Sequence, residues 1–234
     1  MTLTKLVLFD IDGTLLTAGK APRRAISRAL KEIYGIEDSL DGLPPTAFAG
    51  KTDPEIIRTI FARHPLAGDR LGEKLPEFYR LYTQFLRSEL PGDLRARLYP
   101  GVRELLDTLQ VAGKAVLGLL TGNIEEGALV KLGHFGLVPY FSTGSFGSDS
   151  GNRGDLPAIA ARRAREATGR TFTGKDVVIV GDTFEDIMVS KGAGARSVIV
   201  ATGFFPCEEL AKGAPDFLFK DFSRTHEVVE AILS

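Results

Sequence analysis

Four short, continuous apolar segments constrain the fold of this chain most strongly. Their residues do not alternate with polar ones, and the last two segments are rich in valine and isoleucine. Segments of this kind are typical of strands that are buried on both faces, as in a parallel sheet. Helical patterns separate them, which predicts βαβ units and an α/β fold. The segments are residues 6–9, 115–120, 177–180 and 197–201.

The stretch between the first two of these segments has a different pattern, and no convincing strand is predicted in it. Three helices are predicted there, at residues 21–34, 53–63 and 71–90. Pro76 is expected to break or restart the first turn of the third helix. The chain thus makes one strand, leaves for a helical bundle and returns at "LYPGV" to complete the sheet. We therefore predict a core domain of residues 1–15 and 98–234 and an inserted helical cap domain of residues 16–97.

Polar residues follow every predicted strand. Because the carboxyl ends of parallel strands meet at one edge of a sheet, where open α/β sheets bind ligands, we expect these residues to share one crevice. Four of them are aspartates that lie far apart in the sequence. The residues are Asp10, Asp12, Thr121, Gly122, Asn123, Asp182, Asp186, Thr202 and Gly203.

The four aspartates predict a magnesium site. Like charges at close range resist ionising together unless a cation offsets them. All the candidate ligands are oxygens, with no histidine or cysteine among them, and oxygen ligands favour Mg²⁺. Taken separately, these aspartates also have purely structural interpretations. Asp10 and Asp12 can belong to a turn, since Asp-Gly is a common turn dipeptide, and Asp182 can cap a helix. The joint pattern favours a metal site for phosphate chemistry.

Composition and charge narrow the functional class further. Of 234 residues, 44% are hydrophobic and 25% are charged, as in ordinary globular proteins. The formal net charge of −1 gives no overall attraction to nucleic acid or membranes. Cys207 is the single cysteine, which excludes an intramolecular disulfide and fits a reducing compartment. No signal-like segment is predicted at residues 1–5. We expect a cytoplasmic monomer or homodimer with no nucleic-acid or membrane partner.

Three short motifs resemble those of the haloacid dehalogenase superfamily. They resemble its first, second and fourth motifs: "DIDGT" after the first predicted strand, "LLTGN" at the second strand and "GDTFEDI" after the third. The resemblance covers nearly the whole chain. The insertion is similar to the helical cap of the phosphoglycolate phosphatase and β-phosphoglucomutase subfamily. This resemblance implies a Rossmann-like, three-layer parallel-sheet core with an inserted cap.

The resemblance also implies roles for the acids. Asp10 would be the nucleophile and a metal ligand. Asp12 would be the general acid and base and would contribute its backbone carbonyl to the metal. Asp182 would bind the metal, and Asp186 would support it. Because Asp12 and the Asp182/Asp186 pair are all present, phosphoryl transfer is favoured over dehalogenation.

The second motif would hold the phosphoryl group. Thr121 is the residue that binds it in the family, and the neighbouring Gly122 and Asn123 would supply backbone N–H groups. Together with a cation they would hold the equatorial oxygens.

The third motif of the family departs from its usual form here. It is commonly a lysine followed by proline, and no such pair occurs in this chain. Lys131 falls too early, inside the helix after the second motif, and Lys175 is interpreted as a strand-entry residue. Arg153 in "SDSGNRGDLPAIA" is the best positional match, and its guanidinium can bridge the nucleophile and a phosphoryl oxygen. The alternative is a solvated loop arginine.

The cap is expected to select the substrate. In "FAGKTDPE", Lys51 and Thr52 lie before a helix start, where they are candidates to meet an anionic or hydroxylated leaving group. The alternative is a surface lysine beside an Asp53 helix cap. Arg23 and Arg24 are further candidates to reach the cleft, and the alternative is that this basic helix is only solvated.

These observations predict an Mg²⁺-dependent phosphatase for a small phosphorylated metabolite, similar to phosphoglycolate phosphatase, with an aspartyl-phosphate intermediate. Two alternatives remain open. A phosphosugar mutase of the β-phosphoglucomutase type shares all the core residues. A non-catalytic binding protein on the same fold is the other, and only the substituted third motif favours it.

Overall fold

The structure, a computed structural model, describes residues 5–37, 39–64 and 71–234. The first four residues of the amino-terminal segment considered above lie outside this part. The strands are β1 Lys5–Phe9, β2 Leu16–Thr17, β3 Arg97–Leu98, β4 Ala115–Leu120, β5 Thr143–Ser145, β6 Val177–Gly181, β7 Arg196–Val200 and β8 Phe217–Phe219. The helices are α1 Ala21–Tyr34, α2 Asp53–Phe61, α3 Leu71–Glu89, α4 Val102–Ala112, α5 Glu125–His134, α6 Leu156–Thr168, α7 Phe184–Gly192, α8 Cys207–Leu210 and α9 Thr225–Leu233.

Six parallel strands form the central sheet, in the order β5-β4-β1-β6-β7-β8. Strand β1 is therefore central, with β4 and β6 on its two sides. All five of its residues are buried, which is why its sequence reads as a continuous apolar segment. The predicted α/β fold with a parallel sheet is confirmed.

Helices cover both faces of the sheet. Leu6 and Leu8 of β1 point to one face and pack in a cluster with α6 residues such as Ala160. Val7 and Phe9 point to the other face and pack in a cluster with apolar residues of α4, α9 and the cap helices. The alternation along β1 thus divides the core between two helical layers, as expected for a three-layer fold.

The inserted cap consists of α1, α2 and α3, and α1 and α3 pack against each other. Pro22 lies in the first turn of α1, and Gly35 ends the helix with a φ of 70°, a conformation that glycine adopts without strain. The domain boundaries at residues 15/16 and 97/98 stay a prediction.

The expected absence of strands in residues 16–97 was wrong. Leu16 pairs with Leu98, and Thr17 with Arg97, in a two-stranded antiparallel ribbon where the chain leaves and re-enters the core. Strands β5 and β8 also escaped prediction. All four have only two or three residues, too few for a periodic pattern, and their pairing depends on distant partners.

The expected break at Pro76 was also wrong, since α3 continues through it. A proline in a helix removes the bond to the carbonyl four residues before it, here that of Gly72. Gly72 is exposed in the first turn of α3, where water can satisfy its carbonyl. Within the described part of the chain, every helix is too short or too polar to cross a bilayer.

Candidate active site

A cleft of about 430 Å³ lies between the cap and the carboxyl ends of the central strands. The core contributes Asp10, Asp12, Gly122, Thr121, Asn123, Lys131, Arg153, Asp182 and Gly203, among others. The cap contributes Arg23, Ile26, Phe48, Lys51, Asp53, Ile56 and Tyr82, among others. Residues from three motifs, the outer two of which lie more than 170 positions apart in the sequence, therefore meet in one space.

Three of the predicted acids form a buried cluster. Asp10, Asp182 and Asp186 each place a carboxylate oxygen within 4.8 Å of the other two. Asp10 follows β1, and the other two follow the adjacent strand β6. Asp12 is not part of this cluster, and its side chain lies elsewhere in the cleft. The sheet order brings the first and fourth motifs side by side.

Arg153 lies against this cluster. Its Nη2 is 2.7 Å from Asp186 Oδ1 and 3.3 Å from Asp10 Oδ2. The side chain is 7% exposed, which rules out a solvated loop arginine. Its Nε is buried and has no hydrogen-bond partner among the described residues. A buried guanidinium with an unused donor can bind a further anionic oxygen.

The Asp182 carboxylate is tightly enclosed. Oδ1 accepts a hydrogen bond of 2.9 Å from Thr14 Oγ1. A Cβ at Gly13 would lie 2.2 Å from Oδ2, and one at Gly203 would lie 1.7 Å from it. Only glycine at both positions leaves room for this carboxylate.

Asp186 is held by the start of α7. Its Oδ2 accepts from the Thr183 backbone N–H at 3.1 Å, and the Thr183 Oγ1 accepts from the Asp186 backbone N–H at 3.2 Å, which makes a capping box. The same Oδ2 also accepts from the Thr183 hydroxyl at 2.6 Å. Its other oxygen takes the Arg153 contact. Asp186 therefore orients Arg153 and closes the back of the cluster.

Burial and mutual repulsion disfavour ionisation in the cluster. Burial raises the pKa of Asp10 to about 6, an effect that Arg153 opposes and that Asp186 reinforces. Burial, with the charges of Asp10 and Asp186, raises the pKa of Asp182 well above its ordinary value. A divalent cation among these oxygens would relieve this strain, and the oxygen-only donor set fits Mg²⁺. The residues present therefore fit a bound metal ion.

The second-motif residues form a hydrogen-bonded loop after β4. Thr121 Oγ1 accepts from the backbone N–H and the side-chain amide of Asn123, at 3.3 and 2.8 Å. Both bonds use the oxygen, so the hydroxyl proton remains available as a donor. The Asn123 amide is fully engaged, because its Nδ2 also donates to Asp12 at 2.8 Å.

Lys131 lies in this site, although its position inside α5 argued against it. Its Nζ is 2.5 Å from both Asp12 Oδ2 and Asn123 Oδ1. The sequence carried one signal for this. Ala128 and Leu132 are buried on the inner face of α5, and Lys131 interrupts the same apolar stripe. Lys175, by contrast, pairs with Asp216 near the amino end of β6, as a strand-entry residue would.

The cap meets the core through a short loop. Lys51 lines the cleft and pairs with Glu55 at 2.9 Å. Thr52 is fully buried, caps α2 through Glu55 N and donates its hydroxyl to the Gly151 carbonyl at 3.1 Å, so its side chain is occupied by structural bonds. The expected Asp53 cap is thus supplied by Thr52.

Asp53 instead docks the cap onto the second motif. Its backbone N–H donates to the Gly122 carbonyl at 2.7 Å, and its Oδ2 accepts from the Ile124 N–H at 2.8 Å. Arg23 also lines the cleft, with its guanidinium 4.7 Å from the centre of the Phe48 ring. Arg24 lies outside the cleft, where it pairs with Glu89 and Asp93.

The sequence profile of one family, haloacid dehalogenase-like hydrolase, matches residues 4–194. The chain belongs to this family. Within it, the chain is 29% identical to a phosphoglycolate phosphatase of Agrobacterium fabrum, over 94% of this chain and 90% of the relative. It is 28% identical to the pyrophosphatase PpaX of Bacillus pumilus, over 96% of each. This haloacid dehalogenase-like protein is therefore an enzyme, a hydrolase of the phosphatase type.

The fold agrees with the family. A crystal structure of a predicted phosphoglycolate phosphatase from Haemophilus somnus superposes with a TM-score of 0.70 at 24% identity, over 98% of this chain and 99% of that one. The overall fold of this chain is thus shared with a solved structure.

Proposed function

We propose that this enzyme is an Mg²⁺-dependent phosphatase that hydrolyses a small phosphorylated metabolite, similar to phosphoglycolate, through an aspartyl phosphate on Asp10. The observation that carries the proposal is the convergence of three buried carboxylates within 4.8 Å beside Arg153. The name of the Agrobacterium fabrum relative supports phosphoglycolate as the first substrate to test.

In the first half of the reaction, an Asp10 carboxylate oxygen attacks phosphorus as the bond from phosphorus to the leaving oxygen breaks. Although burial raises its pKa to about 6, Asp10 is mostly ionised at neutral pH and can act as a nucleophile. Asp12 lines the same cleft and gives a proton to the leaving oxygen.

In the second half, Asp12 takes a proton from a water molecule as that water attacks phosphorus. The bond between Asp10 and phosphorus then breaks, and inorganic phosphate leaves. The Thr121 hydroxyl and the unpartnered Nε of Arg153 are suited to hold the phosphoryl oxygens in both halves.

Asp10 and Asp182, with the backbone carbonyl of Asp12, are the groups that would hold Mg²⁺, supported by Asp186. The ion would offset the negative charge on the phosphoryl group and on the carboxylates. The same proposal includes a cytoplasmic location, which the single cysteine favours.

The test is phosphate release from a panel that includes 2-phosphoglycolate, pyrophosphate and sugar phosphates, with Mg²⁺ and with EDTA. We expect Mg²⁺-dependent turnover of at least one monoester. Asp10→Asn should reduce turnover by at least ~10³-fold. The raised pKa of Asp10 means that its ionised form destabilises the folded protein at pH 7.5. In the absence of metal, Asp10→Asn should therefore be at least as stable as the wild type at this pH.

Asp107→Asn is the matched control, since Asp107 is exposed on α4 and does not line the cleft, and its turnover should equal that of the wild type. A normal rate in Asp10→Asn would exclude the proposed nucleophile. Isomerisation of a sugar phosphate without phosphate release would identify a mutase instead. An intact Mg²⁺ site without turnover of any compound would favour a binding protein.

A further inference from the structure

Lys131 is a buried lysine whose ammonium group pairs with residues of the cleft. Its side chain is 4% exposed, and its Nζ contacts Asp12 Oδ2 and Asn123 Oδ1, each at 2.5 Å. Burying an ammonium group is costly unless it is paired and hydrogen-bonded. Here both conditions are met by residues of the site.

The contact divides the Asp12 carboxylate into two different oxygens. Oδ2 accepts from Lys131 Nζ and from Asn123 Nδ2, at 2.5 and 2.8 Å. Oδ1 has no hydrogen-bond partner among residues 5–37, 39–64 and 71–234. The Asp12 side chain is 41% exposed and lines the cleft. Hydrogen bonds therefore fix Oδ2 of Asp12, and Oδ1 remains available to a group bound in the cleft.

We infer that Lys131 is a positioning residue that holds Asp12 in the orientation for proton transfer to the leaving group. The inference rests on the proposed phosphatase reaction. Lys131 fixes Oδ2, so that Oδ1 carries the proton to the leaving oxygen as the bond to phosphorus breaks and later accepts a proton from water. Lys131 stays charged throughout and exchanges no proton itself. Asn123 completes the arrangement by linking Lys131, Asp12 and Thr121.

This role differs from that of Arg153. Arg153 contacts Asp10 and Asp186, on the side of the cleft where phosphorus is attacked. Among the described residues, Lys131 donates its hydrogen bonds to Asp12 and Asn123 alone. Loss of Lys131 should therefore impair proton transfer and leave Mg²⁺ affinity unchanged.

The test compares two substrates in Lys131→Met. An alkyl phosphate, the one turned over fastest in the panel, needs a proton on its leaving oxygen, whereas p-nitrophenolate leaves readily without one. General acid catalysis contributes ~10²- to 10⁴-fold. We expect kcat/KM for the alkyl phosphate to fall at least ~10-fold more than kcat/KM for p-nitrophenyl phosphate. This ratio reports the step up to loss of the leaving group, before the common hydrolysis step.

Two further variants separate positioning from simple stabilisation. In an Asp12→Ala background, Lys131→Met should change kcat/KM for the alkyl phosphate less than ~2-fold, because the two residues act as a unit. Lys131→Arg keeps the charge and should recover part of the substrate ratio. Lys175→Met is the matched control, since Lys175 pairs with Asp216 away from the cleft, and its ratio should stay at the wild-type value.

Equal losses for both substrates in Lys131→Met, or independent losses in the Asp12→Ala background, would overturn the inference. If circular dichroism shows that Lys131→Met is unfolded, Lys131→Arg decides alone. Equal losses of kcat/KM for both substrates in Lys131→Arg would then count against the inference. A wild-type enzyme inactive on every phosphomonoester would instead overturn the proposed function. The two failures are therefore distinguishable.

Discussion

The cleft has two cationic centres, Arg153 and Lys131, and they are built in different ways. Arg153 contacts Asp10 and Asp186, and all three side chains are almost fully buried. Lys131 is equally buried, but its partner Asp12 is 41% exposed to the cleft. The first centre lies at Asp10, the proposed nucleophile, and the second lies at Asp12, the proposed acid for the leaving group.

The two cationic centres differ most clearly in how their neighbouring residues are bonded to the cap. Among the described residues, Arg153 forms ion pairs with Asp10 and Asp186, both of which belong to the core. The loop that carries Asn123 leads into α5, which carries Lys131, and Asp53 of the cap bonds to the Gly122 carbonyl and the Ile124 N–H of this loop. The comparison indicates that Arg153 takes its ion pairs from the core alone, whereas the second-motif loop next to Lys131 is also hydrogen-bonded to the cap. Three variants test this division, each on a different part of it.

Arg153→Met should have the largest effect. It leaves Asp10, Asp182 and Asp186 without their buried cation, and breaking a buried ion pair in this way costs about 3–5 kcal/mol. Urea unfolding without metal should show this loss, and Mg²⁺ should restore more stability to the variant than to the wild type. Phosphatase activity should fall at least ~10²-fold.

Arg163→Met is the matched control for that variant. Arg163 pairs with Asp149 at a partly exposed position, where such a pair contributes about 1 kcal/mol or less. If Arg153→Met were no less stable than Arg163→Met in the absence of Mg²⁺, the core centre would not depend on Arg153.

Gly122→Ala should have an intermediate effect, confined to cap docking. A Cβ at Gly122 would lie 2.1 Å from the Lys51 carbonyl oxygen, so the cap loop has to move. Misplacement of a catalytic loop by about 1 Å can cost ~10²-fold in rate, and we expect kcat/KM to fall by that order. Mg²⁺ affinity, measured by calorimetry, should match the wild type because the acid cluster is untouched.

Gly133→Ala gives the matched control, because a Cβ at Gly133 in α5 meets nothing within 4 Å. This variant should keep wild-type kinetics. A loss of Mg²⁺ affinity in Gly122→Ala would show that the two halves of the cleft are not independent.

Asp53→Asn should have the smallest effect, visible as a change in pH dependence. Burial raises the pKa of Asp53 to about 6, while Lys131 opposes this shift. The folded protein therefore binds this proton more tightly than the unfolded chain, whose aspartates titrate near 4. The contribution of Asp53 to stability is complete below that lower pKa and is lost as pH rises through about 6.

The asparagine variant retains an acceptor for the Ile124 N–H but lacks this titration. Relative to the wild type, it should gain about 1 kcal/mol or less of unfolding free energy between pH 5 and pH 7.5. Urea unfolding at the two pH values measures the difference. If the difference in unfolding free energy between variant and wild type is the same at both pH values, Asp53 is solvated in the folded protein.

Much of this site was predictable because its residues directly follow buried strands. The apolar segment of β1 indicates where the chain emerges at the sheet edge, and Asp10 comes immediately after it. The same reasoning applies to Asp182 after β6. Arg153 was a weaker case, selected by its place before a helix, and the structure brings it within 3.3 Å of Asp10. The very short strands had no comparable pattern.

The sequence by itself determined which residues emerge at the sheet edge, because burial of continuous apolar strands is encoded locally. Only the tertiary structure decided which cation pairs with which acid. Lys131 and Asp12 are 119 residues apart, and they meet because β1 lies between β4 and β6 in the sheet. A lysine on an apolar helix stripe acquires its partner from that strand order, since charge pairing acts through space and leaves no periodic signal along the chain.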